Sequence, residues 1–348
     1  MRRSLIYFWR MNLAVVAGVA VTTAVLTGAL LVGDSLRGSL QDLTFDRLGQ
    51  IDRALLNNRL FPDNLAERLA RHPRIEENNL LLAPAMLLQG SAVAPTTDRR
   101  ASGVQVIGVD SRFVQLYPGS STGKQLEFVR GEGQIFPSTV VNAALLEELG
   151  AVVGDDLLLS FGRPAAVPSA SLLGRREQQD VLTTFRVTIS GVLPTSGPGR
   201  FGLEARQNRP MNAYVELETL QKRLDRPGEV NLMLVGQGVG TETEELDPEV
   251  LQSALQETLQ VEDLGLRIRR GSAYLAIESS ELVLRPRVAE GVLEAARASN
   301  LSAWPYLTYL ANQMEVGERT LPYSTISALA LPIPEGAGTL TVQTGIDI

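Results

Sequence analysis

The sequence has no cysteine and only one histidine among its 348 residues. Without cysteine the chain has no disulfide, no thiolate nucleophile and no cysteine-based zinc site. A single imidazole, that of His72, is too little for the usual metal centres and general-base sites. His72 lies in A-R-H-P-R, at the expected end of a short helix, where a solvated or capping role is favoured over catalysis. The sequence therefore predicts no catalytic, cofactor-binding or metal-binding residue of these kinds.

Lysine is also scarce, because Lys124 and Lys222 are the only two and nearly all of the 32 basic residues are arginine. These basic residues are scattered along the chain, and the formal net charge is -7. A scattered and outweighed positive charge argues against nucleic acid as a partner. With 44% hydrophobic and 20% charged residues, the chain can bury one or two sizeable cores.

Charge is absent from one long stretch near the start of the chain. No Asp, Glu, Lys or Arg occurs between Arg10 and Asp34, and residues 13–32 are almost entirely apolar. Twenty residues at about 1.5 Å each form a helix of about 30 Å, the thickness of the hydrocarbon core of a bilayer. Three arginines precede it: Arg2, Arg3 and Arg10. By the positive-inside rule, the N-terminus is cytoplasmic and the chain after about residue 34 lies outside.

Two other interpretations of this stretch remain open. A cleaved signal peptide usually has a shorter apolar core and a small-residue cleavage site, and L-L-V-G-D-S offers no clean A-x-A. A buried core helix is the second alternative. Small residues recur along the stretch and suit helix packing within a membrane: Gly18, Thr22, Thr23, Thr27 and Gly28. We therefore favour an uncleaved anchor that packs against neighbouring helices in the lipid bilayer.

Leucines at nearly helical spacing continue the pattern beyond the apolar stretch, at positions 36, 40, 43 and 48. This spacing predicts an amphipathic stalk that joins the membrane helix rigidly to an outer domain. After it, Asp63 is placed to open a short helix, and the strand patterns around residues 79–90 and 104–110 predict a hairpin. Residues 163–180 predict an exposed loop. The fold class we expect is α+β, with an N-terminal transmembrane helix and helical stalk followed by a mixed α/β extracytoplasmic domain.

One further helix is predicted where V-V-N-A-A-L-L-E-E-L-G-A occurs. Val141, Leu145 and Leu149 fall on one helical face, and Gly150 stands where the helix stops. Strand patterns follow at G-D-D-L-L-L-S-F and F-R-V-T-I-S-G-V-L. This order of helices and strands predicts a sheet covered by short helices.

The octet P-G-S-S-T-G-K-Q, residues 118–125, resembles a phosphate-binding loop. Only three residues separate Gly119 from Gly123, where a P-loop has four, and Gln125 replaces the magnesium-binding hydroxyl. The same octet places Ser121 and Lys124 in the S-x-x-K spacing of penicillin-binding enzymes. The S-x-N and K-T-G elements of that class are not found elsewhere in the chain. The octet therefore predicts a loop rather than a nucleotide site or an acylation site.

Acidic residues form two adjacent pairs, Glu147-Glu148 and Asp155-Asp156. Neighbours in sequence point in different directions on a strand and do not face each other on a helix, so neither pair suits acid and base catalysis. The acidic stretch E-T-E-E-L-D lacks the alternating ligands and central glycine of a calcium loop. We interpret all three as solvated charges.

The order of these pieces resembles the FtsX-like ABC transporter permeases with a MacB-like periplasmic core domain. The resemblance rests on the basic start, the apolar helix running into G-D-S-L-R-G-S-L, then V-I-G-V-D-S-R-F, V-V-N-A-A-L-L-E-E-L-G-A-V-V-G-D and F-R-V-T-I-S-G-V-L-P. It divides the chain into a cytoplasmic start and membrane helix (1–34), a periplasmic core domain (35–236) and a further α/β region (237–348). Since the chain ends on a strand pattern, we expect it to be the N-terminal part of a larger permease.

The resemblance implies a subunit of the bacterial cytoplasmic membrane whose bulk is periplasmic or extracellular. It implies three partners: a cytoplasmic ABC ATPase, other permease helices or a second permease copy, and the bilayer. ATP-driven closure of the ATPase would then move the outer domain, with no enzymatic activity and no cofactor in this chain. The alternative is a single-pass anchored binding or adaptor protein without an ATPase.

Overall fold

The computed structural model describes residues 7–118, 126, 128, 135–162, 182–204, 209–238, 247–272, 274–279, 284, 286–317 and 319–329. Contacts divide the chain into two compact units, Met1–Gly265 and Leu266–Ile348. The boundary expected after residue 236 stays a prediction. Residues 119–125 of the octet, the loop at 163–180 and residues 242–246 of the acidic stretch lie outside the described residues.

The first element is a single α-helix, α1, which extends from Trp9 to Leu48. It contains the apolar stretch and the leucine-spaced stalk without interruption, as the sequence predicts. None of its residues is buried, so the structure leaves the apolar surface of the helix before Leu48 to surroundings other than the described part of this chain. Among the described residues, α1 is the one helix long and apolar enough to cross a membrane, with a mean hydropathy of 2.3 in its most apolar window.

The rest of the first unit alternates short helices with strands. The helices are α2 (Asn64–Ala70), α3 (Pro73–Glu77), α4 (Ser111–Gln115), α5 (Ala143–Leu149), α6 (Leu217–Leu224) and α7 (Pro248–Thr258). The strands are β1 (Ile51–Pro62), β2 (Leu80–Ala94), β3 (Arg99–Val109), β4 (Ser138–Asn142), β5 (Asp156–Gly162), β6 (Leu182–Leu193), β7 (Met211–Glu216) and β8 (Glu229–Gln237). Two 3-10 turns, Gly197–Arg200 and Glu262–Leu264, complete the unit.

The eight strands form one mixed sheet in the order β1-β8-β2-β3-β7-β4-β6-β5. The pairs β3–β7 and β4–β6 are parallel, and the other pairs are antiparallel. Strand β2 is long enough to pair twice along one edge. Its first half pairs with β8, while Gly90 to Val93 pair with β5. This second pairing closes β2, β3, β7, β4, β6 and β5 into a ring.

Gly90 makes the ring closure possible. A Cβ atom at this position would lie 2.3 Å from the backbone oxygen of Ser160 in β5. The ladder between β2 and β3 also shifts register between Gly90 and Ser91, as expected where a bulge bends a strand. A residue without a side chain is therefore required where β2 turns to meet β5.

Alternate residues of the strands enter two separate hydrophobic cores, as the two-residue period of a strand requires. On β3, Val104 and Val106 enter the first core, whereas Ile107 and Val109 enter the second. Helices α2, α3, α5, α6 and α7 contribute to the first core. The second core is smaller and lies against α4 and the last residue of α1, Leu48.

One predicted detail was wrong in this unit. Val141 belongs to strand β4 rather than to a helical face, and α5 begins only at Ala143, where the Asn142 side chain accepts a hydrogen bond from the Leu145 amide. Asp63 directly precedes α2, as predicted, although its side chain makes no capping hydrogen bond. Its carboxylate accepts instead from the Gln221 side-chain amide at 3.0 Å. Gly150 ends α5 in the left-handed conformation, as predicted.

The described part of the second unit contains two hairpins and a helix. Strands β9 (Leu266–Arg270) and β10 (Leu275–Ser279) pair antiparallel, as do β11 (Tyr306–Val316) and β12 (Arg319–Leu329). Between the hairpins in sequence lies α8, Pro286–Ala298.

Candidate coupling junction at the base of the helix

Several hydrogen bonds join the C-terminal end of α1 to the domain that contains the sheet. Only Gly49 and Gln50 separate Leu48 from Ile51, the first residue of β1. The Gln50 amide donates to the backbone oxygen of Leu116 at 2.9 Å, and Ile51 already pairs with Gly236 of β8. Helix α1 therefore continues into the sheet without a flexible linker.

Gly49 fits this junction because of both its conformation and its lack of a side chain. Its φ is 60°, and its amide donates to the Phe45 carbonyl at 2.8 Å, which ends the helix. A Cβ atom there would lie 2.6 Å from the Leu116 oxygen and 2.7 Å from Cδ1 of Tyr117. The close approach of chain segments on both sides thus requires glycine.

Tyr117 caps the end of the helix from the side of the domain. Its phenolic hydroxyl donates to the backbone oxygen of Arg47 at 3.0 Å. That oxygen is one of the last carbonyls of α1, which have no partner inside the helix. Burial raises the pKa of the Tyr117 hydroxyl well above its ordinary value, and the Asp46 carboxylate raises it further while Arg47 opposes the shift. The hydroxyl therefore stays protonated and remains a donor.

The last turn of α1 also binds a neighbouring segment laterally. The Asp46 carboxylate accepts from the Gly197 amide at 3.1 Å, and the Arg47 guanidinium donates to the Glu204 backbone oxygen at 3.2 Å. The Gly197 donor and the Glu204 acceptor both belong to the segment from 197 to 204, which contains the 3-10 turn Gly197–Arg200. We call this segment the contact turn.

Three buried side chains fix the contact turn to the sheet. The Tyr214 hydroxyl donates to the Pro198 oxygen at 2.5 Å, and the Asn142 amide donates to the Gly199 oxygen at 2.8 Å. The Asn212 amide donates to the Phe201 oxygen at 2.9 Å. Burial raises the pKa of Tyr214 as well, which keeps its hydroxyl a donor. Helix, turn and strands β4 and β7 are thus joined by one continuous set of hydrogen bonds.

An aromatic cluster fills the space beneath these bonds. Phe113 of α4 packs edge-to-face on Phe201, with 5.5 Å between the ring centroids. Its ring also lies 5.4 Å from that of Tyr117 and 5.8 Å from that of Tyr214. Aromatic contacts at these distances stabilise a core beyond the area that they bury. The junction therefore rests on rigid packing.

The residues that were considered as sites in the sequence and set aside make other contacts where the structure describes them. His72 was expected to be solvated or to cap a helix, but it precedes α3 without a capping bond and its Nε2 lies 3.1 Å from a carboxylate oxygen of Glu257. The Asp155 carboxylate accepts from the Val152 amide at 3.0 Å, and that of Asp156 accepts from the Thr188 hydroxyl at 2.7 Å. Ser121 and Lys124 lie outside the described residues. Within the described ranges no group of three His, Asp or Glu side chains could hold a metal.

Sequence reasoning missed the junction because its partners are distant in the chain. Tyr117 and Arg47 are 70 residues apart, and Gly197 and Asp46 are 151 apart. The one local signal was Gly49, a glycine placed directly after the last leucine of the stalk pattern.

No known protein-family model matches the chain, and no curated protein matches it in sequence. Three solved structures are similar to it. The periplasmic region of MacB from Actinobacillus actinomycetemcomitans has a TM-score of 0.33 and 10% identity, over 69% of this chain and 84% of that one. The extracellular domain of the non-canonic ABC-type transporter YknZ from Gram-positive bacteria has a TM-score of 0.31 and 11% identity, over 56% and 78%. A domain of a protein described as a permease from Porphyromonas gingivalis has a TM-score of 0.33 and 11% identity, over 70% and 96%.

Proposed function

We propose that this chain is the membrane-anchored extracytoplasmic part of an ABC transporter permease subunit. In this proposal it couples ATP hydrolysis by a partner ATPase to movement outside the membrane, in transport, extrusion or mechanical signalling. The observation that carries the proposal is the unbroken helix α1 and the bonded junction at its outer end. No catalytic step is assigned to the chain itself.

The dimensions of α1 suit the transmission of movement. After the apolar stretch, residues 34–48 extend the helix by about 22 Å at about 1.5 Å per residue. A flexible tether would absorb a displacement of its membrane end, because a Gly- or Ser-rich linker samples many lengths. A continuous helix that enters the sheet through two residues passes the displacement to the domain.

The exposed surface of α1 supports partners within the bilayer. None of its apolar residues is buried in the isolated chain, and its small residues, such as Gly18 and Thr22, permit close approach of another helix. We propose that lipid and the other permease helices, or a second permease copy, cover this surface. The arginines at positions 2, 3 and 10 support a cytoplasmic N-terminus, which is the side on which an ATPase would act.

Co-purification tests the proposal. The tagged chain, expressed from its own locus, is extracted in mild detergent, and the associated proteins are identified and assayed for ATP hydrolysis. The proposal expects a nucleotide-binding subunit in the complex. Recovery of the intact chain without such a subunit, together with unstimulated ATP hydrolysis when candidate ATPases are added, would support the adaptor alternative instead.

A further inference from the structure

Residues 247–265 cover one side of the first unit without joining its sheet. They comprise α7 and the 3-10 turn Glu262–Leu264. Only two residues of the segment are buried, Ala254 and Asp263. Leu251 and Leu255 are half-buried against the first core. Apolar burial alone therefore attaches this segment weakly. We call residues 247–265 the clasp.

Polar contacts attach the middle of the clasp to α3 and the residue that precedes it. Nε2 of His72 lies 3.1 Å from a carboxylate oxygen of Glu257. The Arg74 guanidinium donates to the Ser253 hydroxyl at 2.5 Å, and it also approaches the Glu257 carboxylate at 3.9 Å. Glu257 and Arg74 are more than half exposed, so water and salt weaken these contacts.

The end of the clasp is held by a buried ion pair. The Arg68 guanidinium of α2 donates to the carboxylate of Asp263, whose side chain is only 1% exposed. The same carboxylate accepts from the Gln260 amide at 2.7 Å, and the Asp263 backbone oxygen accepts from Arg59 of β1 at 3.4 Å. Asp263 is thus the residue where α2, β1 and the clasp meet.

The Arg68–Asp263 pair attaches the clasp only while both of its charged groups are present. Nε of Arg68 and the second carboxylate oxygen of Asp263 are buried and have no hydrogen-bond partner within the described residues. A buried pair that is only partly satisfied contributes little more than an apolar pair of similar size, yet removing one member leaves an uncompensated charge. The attachment of the clasp therefore depends on this one ion pair, whereas the folding of the sheet does not.

From these contacts we infer that the Arg68–Asp263 pair is a latch, and that residues 247–265 can leave α2 and α3 while the sheet stays folded. The clasp directly precedes Leu266, where the second unit begins. When the latch opens, residues 247–265 become unattached chain that precedes the second unit, and Leu251 and Leu255 of α7 become exposed. The latch is thus a conformational device of the fold that operates independently of the helix α1 and its junction.

Hydrogen exchange of the full chain in detergent micelles tests the latch, with three variants compared. Asp263→Leu leaves the half-buried Arg68 without its carboxylate partner, and we expect exchange across 248–258 to accelerate by roughly tenfold or more. The double variant Arg68→Met with Asp263→Leu replaces the pair by apolar groups and restores protection. Glu249→Gln removes an exposed charge from the same helix and leaves its exchange unchanged.

Two outcomes would overturn the inference. If Asp263→Leu accelerates exchange equally in α7 and in strands β3 and β7, the clasp is an inseparable part of the domain. If exchange across 248–258 is the same in Asp263→Leu and in the unaltered chain, the half-buried leucines hold the clasp and the ion pair is not a latch. The comparison does not depend on any ATPase, so its result is independent of the proposed function.

Discussion

The hydroxyl of Tyr117 donates to the backbone oxygen of Arg47, so a side chain of the sheet-containing unit completes the end of α1. The bond spans 70 residues of sequence. It joins the last turn of α1 to the loop after α4, beside the aromatic cluster around Phe113. A helix end without a partner frays or binds water. This bond therefore strengthens the attachment of the stalk to the domain.

The first prediction concerns this hydroxyl. Tyr117→Phe keeps the ring in its cluster and removes the donor, so the free energy of unfolding falls by about 1 kcal/mol, the typical net contribution of one hydrogen bond. Urea denaturation of the full chain in micelles measures the loss. Tyr274→Phe, which removes a hydroxyl from a residue that is 68% exposed, leaves the midpoint unchanged. Equal effects in the two variants would mean that the capping bond contributes nothing.

The second prediction distinguishes two reasons why position 49 requires glycine: its positive φ and the lack of space for a side chain. Gly49 and Gly103 both have positive φ, 60° and 71°. A Cβ at Gly103 has no neighbour within 4 Å, whereas a Cβ at Gly49 would lie 2.6 Å from the Leu116 oxygen. Gly103→Ala therefore costs only the conformational term of about 1 kcal/mol, and Gly49→Ala costs at least about 1 kcal/mol more. Unfolding midpoints of the two variants give the difference; similar values would exclude tight packing at the junction.

Local patterns in the sequence predicted the elements that depend on local physics. The continuous helix Trp9–Leu48 followed from an uncharged stretch and the leucine spacing, and the β2–β3 hairpin followed from two apolar runs around a polar turn. The sequence pattern did not show that β4 ends and α5 begins at Asn142, because the apolar residues of both elements together fit the spacing of a single helix. Pattern alone cannot separate the two states over so short a run.

Long-range pairing was not predictable from the same patterns. Closure of the ring needs β2 to meet β5 across a gap of about 70 residues, and the contact turn meets α1 from still farther along the chain. These contacts depend on which surfaces the whole fold brings together. The candidate junction consequently emerged from the structure, with Gly49 as its only visible sign in the sequence.

The third prediction is a loss of stability at high pH. Burial raises the pKa of both Tyr117 and Tyr214. Unfolded tyrosines lose their proton near pH 10, while these two keep it in the folded state, so rising pH favours the unfolded chain. Their contribution is complete below about pH 10 and then falls by up to about 1.4 kcal/mol per pH unit for each hydroxyl. Urea midpoints between pH 8 and 11 measure the slope, which is shallower in Tyr117→Phe and unchanged in Tyr274→Phe.

The fourth prediction concerns membrane orientation and uses the absence of cysteine. Ser4→Cys and Ser102→Cys each introduce a single thiol, the first before the apolar stretch and the second on an exposed position of β3. In intact cells, or in spheroplasts where an outer membrane exists, a membrane-impermeant maleimide should label position 102 only. After detergent lysis both positions should react. Labelling of position 4 in unbroken cells would reverse the orientation on which the proposed coupling depends.

The fifth prediction tests whether rigidity of the stalk matters for coupling. Inserting Gly-Ser-Gly-Ser between Leu48 and Gly49 makes the junction flexible, and we expect nucleotide-dependent changes in hydrogen exchange of the outer domain to disappear. Inserting seven helix-forming residues after Arg37 adds about two turns, which lengthens the stalk but keeps it continuous and nearly preserves its orientation. The changes should survive this second insertion. If both insertions abolish them, the length of the stalk matters; if neither does, movement does not pass through α1.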